Sequence, residues 1–262
     1  MITIAVYGCM GRMGRAIASC AGASSDVRVA AAVERPGHPA VGSPYPGSGE
    51  RPVTVCDDEA AAAQADVVVS FADPASSARH AEVASAAGVP IVIGTTGFSA
   101  EEKKRIEAAA AKVPIVLSPN MSVGVNVLTW LVGKAAGAFG PEYDVEIVET
   151  HHRHKADAPS GTALRLAEAV AEARGVDLAQ AAVYGREGRT GERPKGQIGI
   201  HAVRLGDIAG EHRILFGAEG ETFELVHRSS SRAAYASGTL DAVRFVMGNA
   251  AGLYDMFDVI GL

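Results

Sequence analysis

The stretch that decides the fold is residues 2–14, ITIAVYGCMGRMG. Its first six residues, Ile2 to Tyr7, are a short uncharged run of the kind that forms a buried parallel strand. Three glycines then interrupt the run, and the small apolar residues from Arg15 to Ala23 predict the beginning of a helix. A strand, a glycine-rich turn and a helix in this order can bring the backbone close to a pyrophosphate at the helix N-terminus.

The same alternation continues through the first half of the chain. Apolar runs predict further strands at Val27 to Val33, Val67 to Phe71, Pro90 to Ile93 and Pro114 to Leu117. Helix-like stretches stand between them at Asp58 to Gln64, Pro74 to Ala87 and Ala100 to Lys112. Near-continuous apolar strands that alternate with helices predict an α/β fold, a Rossmann-like doubly wound parallel sheet covered on both faces.

The glycines of the first turn are Gly8, Gly11 and Gly14, in the spacing GxxGxxG rather than the commoner GxGxxG. Three glycines alone are a weak signal, because tight turns use glycine in any case. The context strengthens the signal. The second predicted strand ends at Glu34, 20 residues after Gly14, which is close to the spacing of about 20 expected for the acid that binds a ribose.

Arg35 follows Glu34 directly. A carboxylate at this place favours the free 2′-hydroxyl of NAD, whereas an arginine favours the 2′-phosphate of NADP, so the pair predicts weak discrimination. Taken alone, two adjacent charges are typical of a solvated strand end. Arg12 inside the turn is compatible with a phosphate contact and equally with an ordinary surface position.

Two later strand ends carry small polar residues. Gly94 to Gly97 (GTTG) follows one predicted strand, and Ser118 to Met121 (SPNM) follows the next. Ligands of open α/β sheets bind beyond the carboxyl ends of the strands. Both stretches are compatible with ordinary loops, and we favour a nicotinamide pocket because small residues allow close backbone contact.

The pattern changes after about Ser122. We expect helices at Val123 to Ala138, Gly161 to Arg174 and Ala233 to Asn249, and strands at Val145 to Thr150, Ile198 to Arg204, His212 to Gly217 and Thr222 to His227. The last three strands are joined by connections too short for crossovers, which predicts antiparallel pairing. The second half is therefore expected to be an α+β domain with a mixed or antiparallel sheet.

Residues 149–163, ETHHRHKADAPSGTA, concentrate titratable groups. The spacing of the histidines differs from the HxxxH of a helical zinc site, and Arg153 and Lys155 would repel a cation, so we expect no metal. A solvated strand end accounts for Arg153 and His154 only. A capping Ser160 or Thr162 beside Gly161 predicts a helix N-terminus ready for a carboxylate. Histidine and lysine next to it suit proton transfer.

Composition limits the classes of function. The 262 residues carry a net charge of −6, which argues against binding to nucleic acid or to a membrane surface. We find no run of about 18 uncharged apolar residues and no basic, signal-like start, so we expect a cytoplasmic protein without a membrane span. The three cysteines, Cys9, Cys20 and Cys56, form no CxxC pair and predict neither a disulfide framework nor a zinc site.

With these motifs in place, the chain resembles the 4-hydroxy-tetrahydrodipicolinate reductase family, also called dihydrodipicolinate reductase. The resemblance covers nearly the whole chain in the family's order. It rests on the segments GCMGRMGRA, VERPG, VIGTTGFS, SPNMSVGVNV, ETHHRHKADAPSGTAL, GREGRTGER, RLGDIAGEH and HRSSSRAAYASG. The fifth of these is highly specific to the family.

The resemblance implies an activity and a set of site residues. Members of the family reduce a small cyclic dicarboxylate on the diaminopimelate route to lysine, with NADH or NADPH as hydride donor. His151 would be the proton donor and acceptor and Lys155 the proton donor, while His152, Ser160, Gly161 and Thr162 would bind the carboxylates. The cofactor would be lined by Gly8, Cys9, Met10, Gly11, Arg12, Met13, Glu34, Arg35, Gly94, Thr95, Thr96, Ser118, Pro119, Asn120 and Met121.

The resemblance also implies a domain arrangement and an assembly. Residues 1–122 and 232–262 would form a discontinuous dinucleotide-binding domain, and residues 123–231 a domain for substrate binding and oligomerisation. The assembly would be a homotetramer formed through the sheets of the second domain. One departure concerns Asp73, which stands where some members carry a basic residue. It favours NADH, whereas Arg35 favours NADPH, so the preference stays open.

Two other functions are compatible with parts of the sequence. Another two-domain NAD(P)-dependent oxidoreductase, such as an amino-acid dehydrogenase, would share the cofactor half, but the HHRHK and PSGT segments speak against it. A nucleotide-sensing protein without catalysis would not need both His151 and Lys155.

Overall fold

The computed structural model describes residues 1–48 and 52–262. Its strands, in chain order, are β1 (Ile2–Tyr7), β2 (Val27–Val33), β3 (Val55–Cys56), β4 (Val67–Ser70), β5 (Ile91–Ile93), β6 (Pro114–Leu117), β7 (Asp144–His151), β8 (Ala182–Tyr184), β9 (Ile198–Arg204), β10 (Gly210–Ala218), β11 (Glu221–Ser229) and β12 (Gly252–Tyr254). Its helices are α1 (Arg12–Gly22), α2 (Pro74–Ala86), α3 (Ala100–Ala110), α4 (Val123–Phe139), α5 (Gly161–Arg174), α6 (Leu178–Ala181), α7 (Ala233–Met247) and α8 (Met256–Ile260). Short 3₁₀ helices occupy Glu59–Gln64 and Gly140–Glu142.

The chain divides into two compact units. The first combines Met1–Val123 with Arg232–Leu262, and the second is Gly124–Ser231. The predicted division places the first boundary one residue earlier, after Ser122. The chain thus leaves the first unit and returns to it for α7, β12 and α8.

The first unit contains a seven-stranded parallel sheet in the order β12-β6-β5-β4-β1-β2-β3. Helices α1 and α7 pack on one face, through residues such as Ile17 and Leu240. Helices α2 and α3 cover the other face, through residues such as Ala81 and Ile106. The central strands are mostly apolar because both of their faces are buried. The predicted doubly wound sheet is confirmed.

Two edge strands of this sheet were not predicted from the sequence. β3 has two residues, and β12 has three, one of them glycine, so neither gives an apolar run. Their parallel pairing with β2 and β6 defines them as strands. The chain order reverses beside β1, which pairs with β2 on one side and β4 on the other. Ligands bind at such a switch point, beyond the carboxyl ends of the strands.

The second unit contains a five-stranded mixed sheet in the order β11-β10-β7-β9-β8. β10 pairs antiparallel with β11 and with β7. The expected antiparallel pairing of β9 with β10 is wrong, because β7 lies between them and β9 runs parallel to β7. A connection of five residues, 205–209, is long enough to pass over the end of one intervening strand. β8 and α6 were not predicted.

One face of this second sheet packs against α4 and α5. Leu128 and Val132 of α4 and Leu166 of α5 are buried with Ile147 and Ile214 of the sheet. Among the described residues, the helical stretch Val123–Glu142 has the length and composition that could cross a membrane. Packing of its buried stripe on this core accounts for part of its apolar character.

Candidate active site

The glycine-rich turn after β1 is shaped by close backbone packing. Gly8 has a φ of +71°, and a Cβ there would lie 2.7 Å from the carbonyl oxygen of Phe71. A Cβ on Gly14 would overlap the carbonyl oxygen of Cys9. Both positions therefore require glycine, one for the turn itself and one for the close approach of α1 to the turn.

Glu34 is held against this turn. Its Oε2 accepts a hydrogen bond from the backbone N–H of Met10 at 3.1 Å, and its Oε1 accepts one from the N–H of Arg35 at 3.1 Å. Helix α1 begins at Arg12 after the N-cap Gly11, which has no side chain to cap the first turn. The helix N-terminus can thus meet an anion while the nearby carboxylate meets a ribose hydroxyl. These residues fit a dinucleotide.

The side chains of the turn differ in what they can contact. The Cys9 thiol is buried, and burial, with Glu34 and Cys56 nearby, raises its pKa to about 12, so it packs rather than reacts. Arg12 is exposed. Sequence reasoning missed Arg15, whose Nε donates to the carbonyl oxygen of Met10 at 3.0 Å and fastens the turn.

The predicted loop from Gly94 to Thr96 follows β5 at the same edge of the sheet. A Cβ on Gly94 would overlap the Phe71 ring, which therefore lies directly on this glycine. Thr95 is buried, and its hydroxyl donates to the carbonyl oxygen of Ala72 at 3.0 Å. Thr96 is exposed. The loop is thus fixed at Thr95, while Thr96 faces outward.

A buried polar chain lies beneath that loop. The Thr95 hydroxyl is 2.7 Å from the Ser77 hydroxyl, which is 3.1 Å from the Ser70 hydroxyl. Ser70 Oγ is in turn 2.9 Å from His80 Nδ1. Burial lowers the pKa of His80 to about 4, so the imidazole is neutral. Sequence reasoning missed this chain, since Ser77 and His80 look like ordinary positions of α2.

The segment from Ser118 to Met121 follows β6. Ser118 Oγ donates to the carbonyl oxygen of Asn120 at 3.0 Å, and Asn120 Oδ1 accepts from the N–H of Ser122 at 2.9 Å. Met121 is buried, and a Cβ on Gly238 of α7 would overlap its carbonyl oxygen. Pro119 is exposed. The strand topology brings this segment, the Gly94 loop and the glycine turn to one edge.

The second unit holds a buried histidine–carboxylate pair on β7. Glu149 is fully buried, and its Oε2 lies 2.5 Å from Nδ1 of the buried His151. Arg204 at the end of β9 binds both carboxylate oxygens at 2.9 Å. Burial acts to raise the pKa of Glu149, but the hydrogen bonds from His151 and Arg204 outweigh it and lower the pKa to about 2. Glu149 is therefore ionised.

The turn Ser160–Gly161–Thr162 opens helix α5. Ser160 is the cap: its hydroxyl accepts from the N–H of Ala163 at 3.2 Å, and its own N–H donates to Glu149 Oε1 at 3.0 Å. Gly161 is exposed, and nothing lies within 4 Å of where its Cβ would be. The helix N-terminus is thus approachable at Gly161, where the backbone can meet a carboxylate.

Lys155 lies in the loop between β7 and α5. Its Nζ is 2.8 Å from Asp157 Oδ2, and its side chain is 20% exposed. The histidines on either side differ in position. β7 ends at His151, so His152 and His154 lie beyond the strand, their rings 6.3 Å apart. Within residues 1–48 and 52–262, no three His, Cys, Asp or Glu side chains are grouped to hold a metal ion.

His212 of β10 is a site neighbour that the sequence did not reveal. It is buried, its Nε2 is 3.4 Å from Ser160 Oγ, and its ring centroid is 5.3 Å from that of His151. Burial, together with nearby His151, lowers its pKa to about 3 and keeps it neutral. It ends the segment RLGDIAGEH, which contributes to the resemblance, but the sequence assigned it no role.

The first unit has a glycine turn with the Glu34 carboxylate held against it. The second unit has a buried carboxylate–histidine pair and a lysine. This combination is typical of NAD(P)-dependent oxidoreductases. The comparisons with known proteins narrow the class. Family models described as "Dihydrodipicolinate reductase, N-terminus" and "Dihydrodipicolinate reductase, C-terminus" match residues 2–121 and 124–260. The chain belongs to the dihydrodipicolinate reductase family.

Individual relatives agree with the family models. The chain is 50% identical to a 4-hydroxy-tetrahydrodipicolinate reductase of Anaeromyxobacter sp. (strain Fw109-5), covering 100% of this chain and 98% of the relative. It is also 50% identical to the reductase of that name from Nitrosomonas europaea, with the same coverage. A solved structure of dipicolinate-bound dihydrodipicolinate reductase from Paenisporosarcina sp. TG-14 is 28% identical, covers 99% of each chain and has a TM-score of 0.77.

Proposed function

We propose that this chain is an NAD(P)H-dependent 4-hydroxy-tetrahydrodipicolinate reductase of the lysine pathway. Membership of the family, over the full length of the chain, carries the proposal. The cyclic dicarboxylate substrate loses its 4-hydroxyl as water, and the resulting dihydrodipicolinate is reduced. One hydride and one proton add to it and give tetrahydrodipicolinate. NADH or NADPH supplies the hydride when bound.

The first unit is the proposed cofactor-binding part. The backbone of Gly8 to Met13 and the N-terminus of α1 bind the pyrophosphate, and Glu34 with Arg35 contacts the adenosine ribose. Gly94, Thr95 and Thr96, with Ser118 to Met121, form the nicotinamide side. The bonds that anchor Thr95 and Ser118 to neighbouring backbone support this assignment, because a fixed loop positions a ring better than a mobile one.

The second unit is the proposed site of substrate binding and proton transfer. The N–H groups at Gly161 and Thr162 and the imidazole of His152 bind the substrate carboxylates. Ser160 contributes by capping α5, since its side chain is turned inward. Lys155 donates the proton that balances the hydride, and His151, with Nδ1 on Glu149, supplies a second group that exchanges a proton at Nε2.

A spectrophotometric assay tests this function. The purified chain is mixed with the condensation product of pyruvate and aspartate semialdehyde, and absorbance loss is followed with NADH and NADPH in parallel. We expect oxidation of both cofactors that depends on the dicarboxylate. Absence of oxidation at high enzyme concentration would overturn the proposal. Reduction of NAD⁺ by a free amino acid instead would support the amino-acid dehydrogenase alternative.

We further propose a cytoplasmic homotetramer formed through the face of the second sheet that α4 and α5 leave open. Val203 and Val226 are exposed on that face, at 39% and 38%. Light scattering after gel filtration tests the assembly, with an expected mass of four times the 26.9 kDa chain. Val226→Glu should lower that mass, and an unchanged mass would exclude this face. Cell fractionation of the expressed chain tests the location.

A further inference from the structure

Glu149 is the most deeply buried charge of the second unit's site. It has no solvent exposure, and an ionised carboxylate is costly to bury unless both oxygens are paired. Both oxygens are paired. Oε1 accepts from Arg204 Nη2 at 2.9 Å and from the backbone N–H of Ser160 at 3.0 Å. Oε2 accepts from Arg204 Nη1 at 2.9 Å and meets His151 Nδ1 at 2.5 Å.

Arg204 also binds the backbone of the loop that follows β7. Besides the bidentate pair with Glu149, its Nε donates to the carbonyl oxygen of Lys155 at 3.3 Å. Its Nη2 donates to the carbonyl oxygen of Asp157 at 2.5 Å. A planar guanidinium can hold a carboxylate and a loop backbone at once, which a lysine ammonium cannot do with the same geometry.

We propose that Glu149 and Arg204 form the positioning pair of the active site. The pair sets the orientation of the His151 imidazole, the path of the loop that carries Lys155, and the place of the Ser160 turn at the N-terminus of α5. Glu149 and Arg204 act through these groups and need not touch the substrate. This inference rests on the proposed function, because it assigns a role to residues behind the same site.

The pair also selects which nitrogen of His151 exchanges a proton. An ionised carboxylate only accepts hydrogen bonds, so the geometry assigns a proton to Nδ1 and leaves Nε2 for the substrate. The approach to Nε2 is kept open on the β10 side, because a Cβ on Gly210 would lie 3.2 Å from that nitrogen. A carboxylate behind a histidine in this way stabilises the imidazolium and fixes the tautomer.

The titratable groups around His151 lie on several neighbouring elements. Glu149 lies on the same strand, Arg204 on β9, and His212, neutral through burial, on β10. The Lys155–Asp157 pair lies in the following loop. Of these, Glu149 is the carboxylate in direct contact with the imidazole ring. Its removal should therefore destabilise the protonated ring more than any other single change.

The decisive variant is Glu149→Gln, which keeps the size of the side chain and removes its charge. We expect kcat to fall about 100-fold, because proton transfer by a positioned group contributes on this scale. The dissociation constant of NADH, measured by its fluorescence, should stay within about twofold, since the cofactor loops lie in the other unit. The alkaline limb of the pH–kcat profile should move to lower pH, because the imidazolium loses its carboxylate.

Glu146→Gln is the matched control. Glu146 lies on the same strand on the opposite face, and it too is bound by arginines, Arg186 and Arg193, and by a histidine, His201. Glu146→Gln therefore removes a carboxylate that is bound in an equivalent way but lies away from the site. We expect wild-type kcat and an unshifted pH profile for Glu146→Gln, once light scattering shows that its assembly is unchanged.

Arg204→Lys is the second variant and carries the test if Glu149→Gln does not fold. It keeps a positive charge beside Glu149 but loses the bidentate bond and one or both loop contacts. We expect kcat to fall about tenfold, on the order of one lost charged hydrogen bond. Dipicolinate, a planar dicarboxylate that serves as the probe, should bind a few-fold more weakly because the α5 turn is less fixed. Glu149→Asp keeps the carboxylate on a shorter side chain, so this variant should retain part of the activity that Glu149→Gln loses.

Three results would overturn the inference. Wild-type kcat with an unshifted pH profile in Glu149→Gln would remove the positioning role while leaving the proposed function intact. Equal losses in Glu149→Gln and Glu146→Gln would assign the effect to general stability. A wild-type chain that neither binds NADH nor oxidises it would end the proposed function, and the positioning role with it.

Discussion

Lys155 is the residue whose removal should separate chemistry from binding. Its ammonium group is held at 2.8 Å by Asp157, and Arg204 fixes the backbone on which it stands. A mobile lysine loses rotamer entropy each time it takes up a working position, whereas a tethered one is already oriented. The tether therefore orients the ammonium group for the proposed proton donation.

Lys155→Ala should lower kcat by about 10²- to 10⁴-fold, the usual contribution of a positioned acid. The NADH dissociation constant should change by less than about twofold, because Lys155 belongs to the second unit. Steady-state kinetics and fluorescence titration measure the two quantities. Lys195→Ala is the control, since Lys195 is exposed and pairs only with exposed Glu142 among the described residues. Normal turnover with weakened cofactor binding in Lys155→Ala would contradict the assignment.

We expect Glu34 to influence the choice between NADH and NADPH. Both of its oxygens accept backbone N–H groups, from Met10 and Arg35, so the carboxylate is fixed beside the glycine turn. Asp73, which the sequence suggested as a determinant, caps α2 by accepting from the N–H of Ser76 at 2.9 Å. Because this cap engages its carboxylate, we expect the balance to rest on Glu34 and the exposed Arg35.

Glu34→Ser should weaken NADH and favour NADPH. The variant loses a charged acceptor for the ribose hydroxyl, worth about 1.5–3 kcal/mol, and removes a negative charge that repels a 2′-phosphate. The ratio of kcat/KM for NADPH over NADH should rise at least about tenfold. Asp73→Ser, which can still cap α2, serves as control and should leave the ratio unchanged. An unchanged ratio in Glu34→Ser would show that the carboxylate does not meet the ribose.

Two helices each contain a glycine, but only one of the two glycines is required by its neighbours. Gly14 in α1 stands where a Cβ would overlap the Cys9 carbonyl oxygen, so α1 can approach the turn only through glycine. Gly133 in α4 has its nearest atom, the Ala169 carbonyl oxygen, 3.8 Å from where a Cβ would be, an ordinary contact distance. The first glycine permits the tight turn after β1, and the second could be replaced by alanine without a clash.

Gly14→Ala and Gly133→Ala make a matched pair for this difference. Gly14→Ala should lower the free energy of unfolding by about 2 kcal/mol or more through overpacking, and should weaken NADH binding. Gly133→Ala should raise that free energy by about 0.5–1 kcal/mol, the ordinary advantage of alanine within a helix. Urea unfolding and NADH fluorescence measure both effects. Equal stability of the two variants would mean that α1 can shift away from the turn.

The elements also show what the sequence could and could not predict. Helix α5 and strand β9 were predicted at their observed bounds, because apolar periodicity and a cap signal such as Ser160 are local. The pairing of β9 with β7 was not predicted, since partner choice depends on the whole sheet. Glu149 lies in a recognised motif, but its bond to Arg204, 55 residues away, has no sequence signature.

Across the whole molecule, each unit contains a histidine kept neutral by burial. His80 lies under the loop from Gly94 to Thr96 in the first unit, with a pKa lowered to about 4. His212 lies beside Ser160 in the second unit, with a pKa lowered to about 3. An unfolded histidine titrates at about 6.5. Each unit therefore contains a group that the unfolded chain protonates at a higher pH than the folded chain does.

The protein should therefore lose stability as pH falls, beginning near pH 6.5. Above that pH both states leave the imidazoles neutral, and stability is fully present. Between pH 6.5 and about 4 for His80, or about 3 for His212, only the unfolded chain takes up the proton. The free energy of unfolding then falls by up to about 1.4 kcal/mol per pH unit for each histidine. Glu149, with its pKa lowered to about 2, adds to the loss only below about pH 4.5.

Urea unfolding between pH 7.5 and 5 tests this dependence. His80→Gln keeps a polar group beside Ser70 but cannot titrate, so its stability should be lower at pH 7.5 and fall less steeply towards pH 5. His154→Gln is the control, because His154 is exposed and its loss should leave the slope unchanged. A wild-type slope in His80→Gln would mean that His80 takes up its proton without unfolding the first unit. In that case water would have to reach the chain of hydroxyls that links His80 to Thr95, and the loop at Thr95 would lose its fixed position in acid.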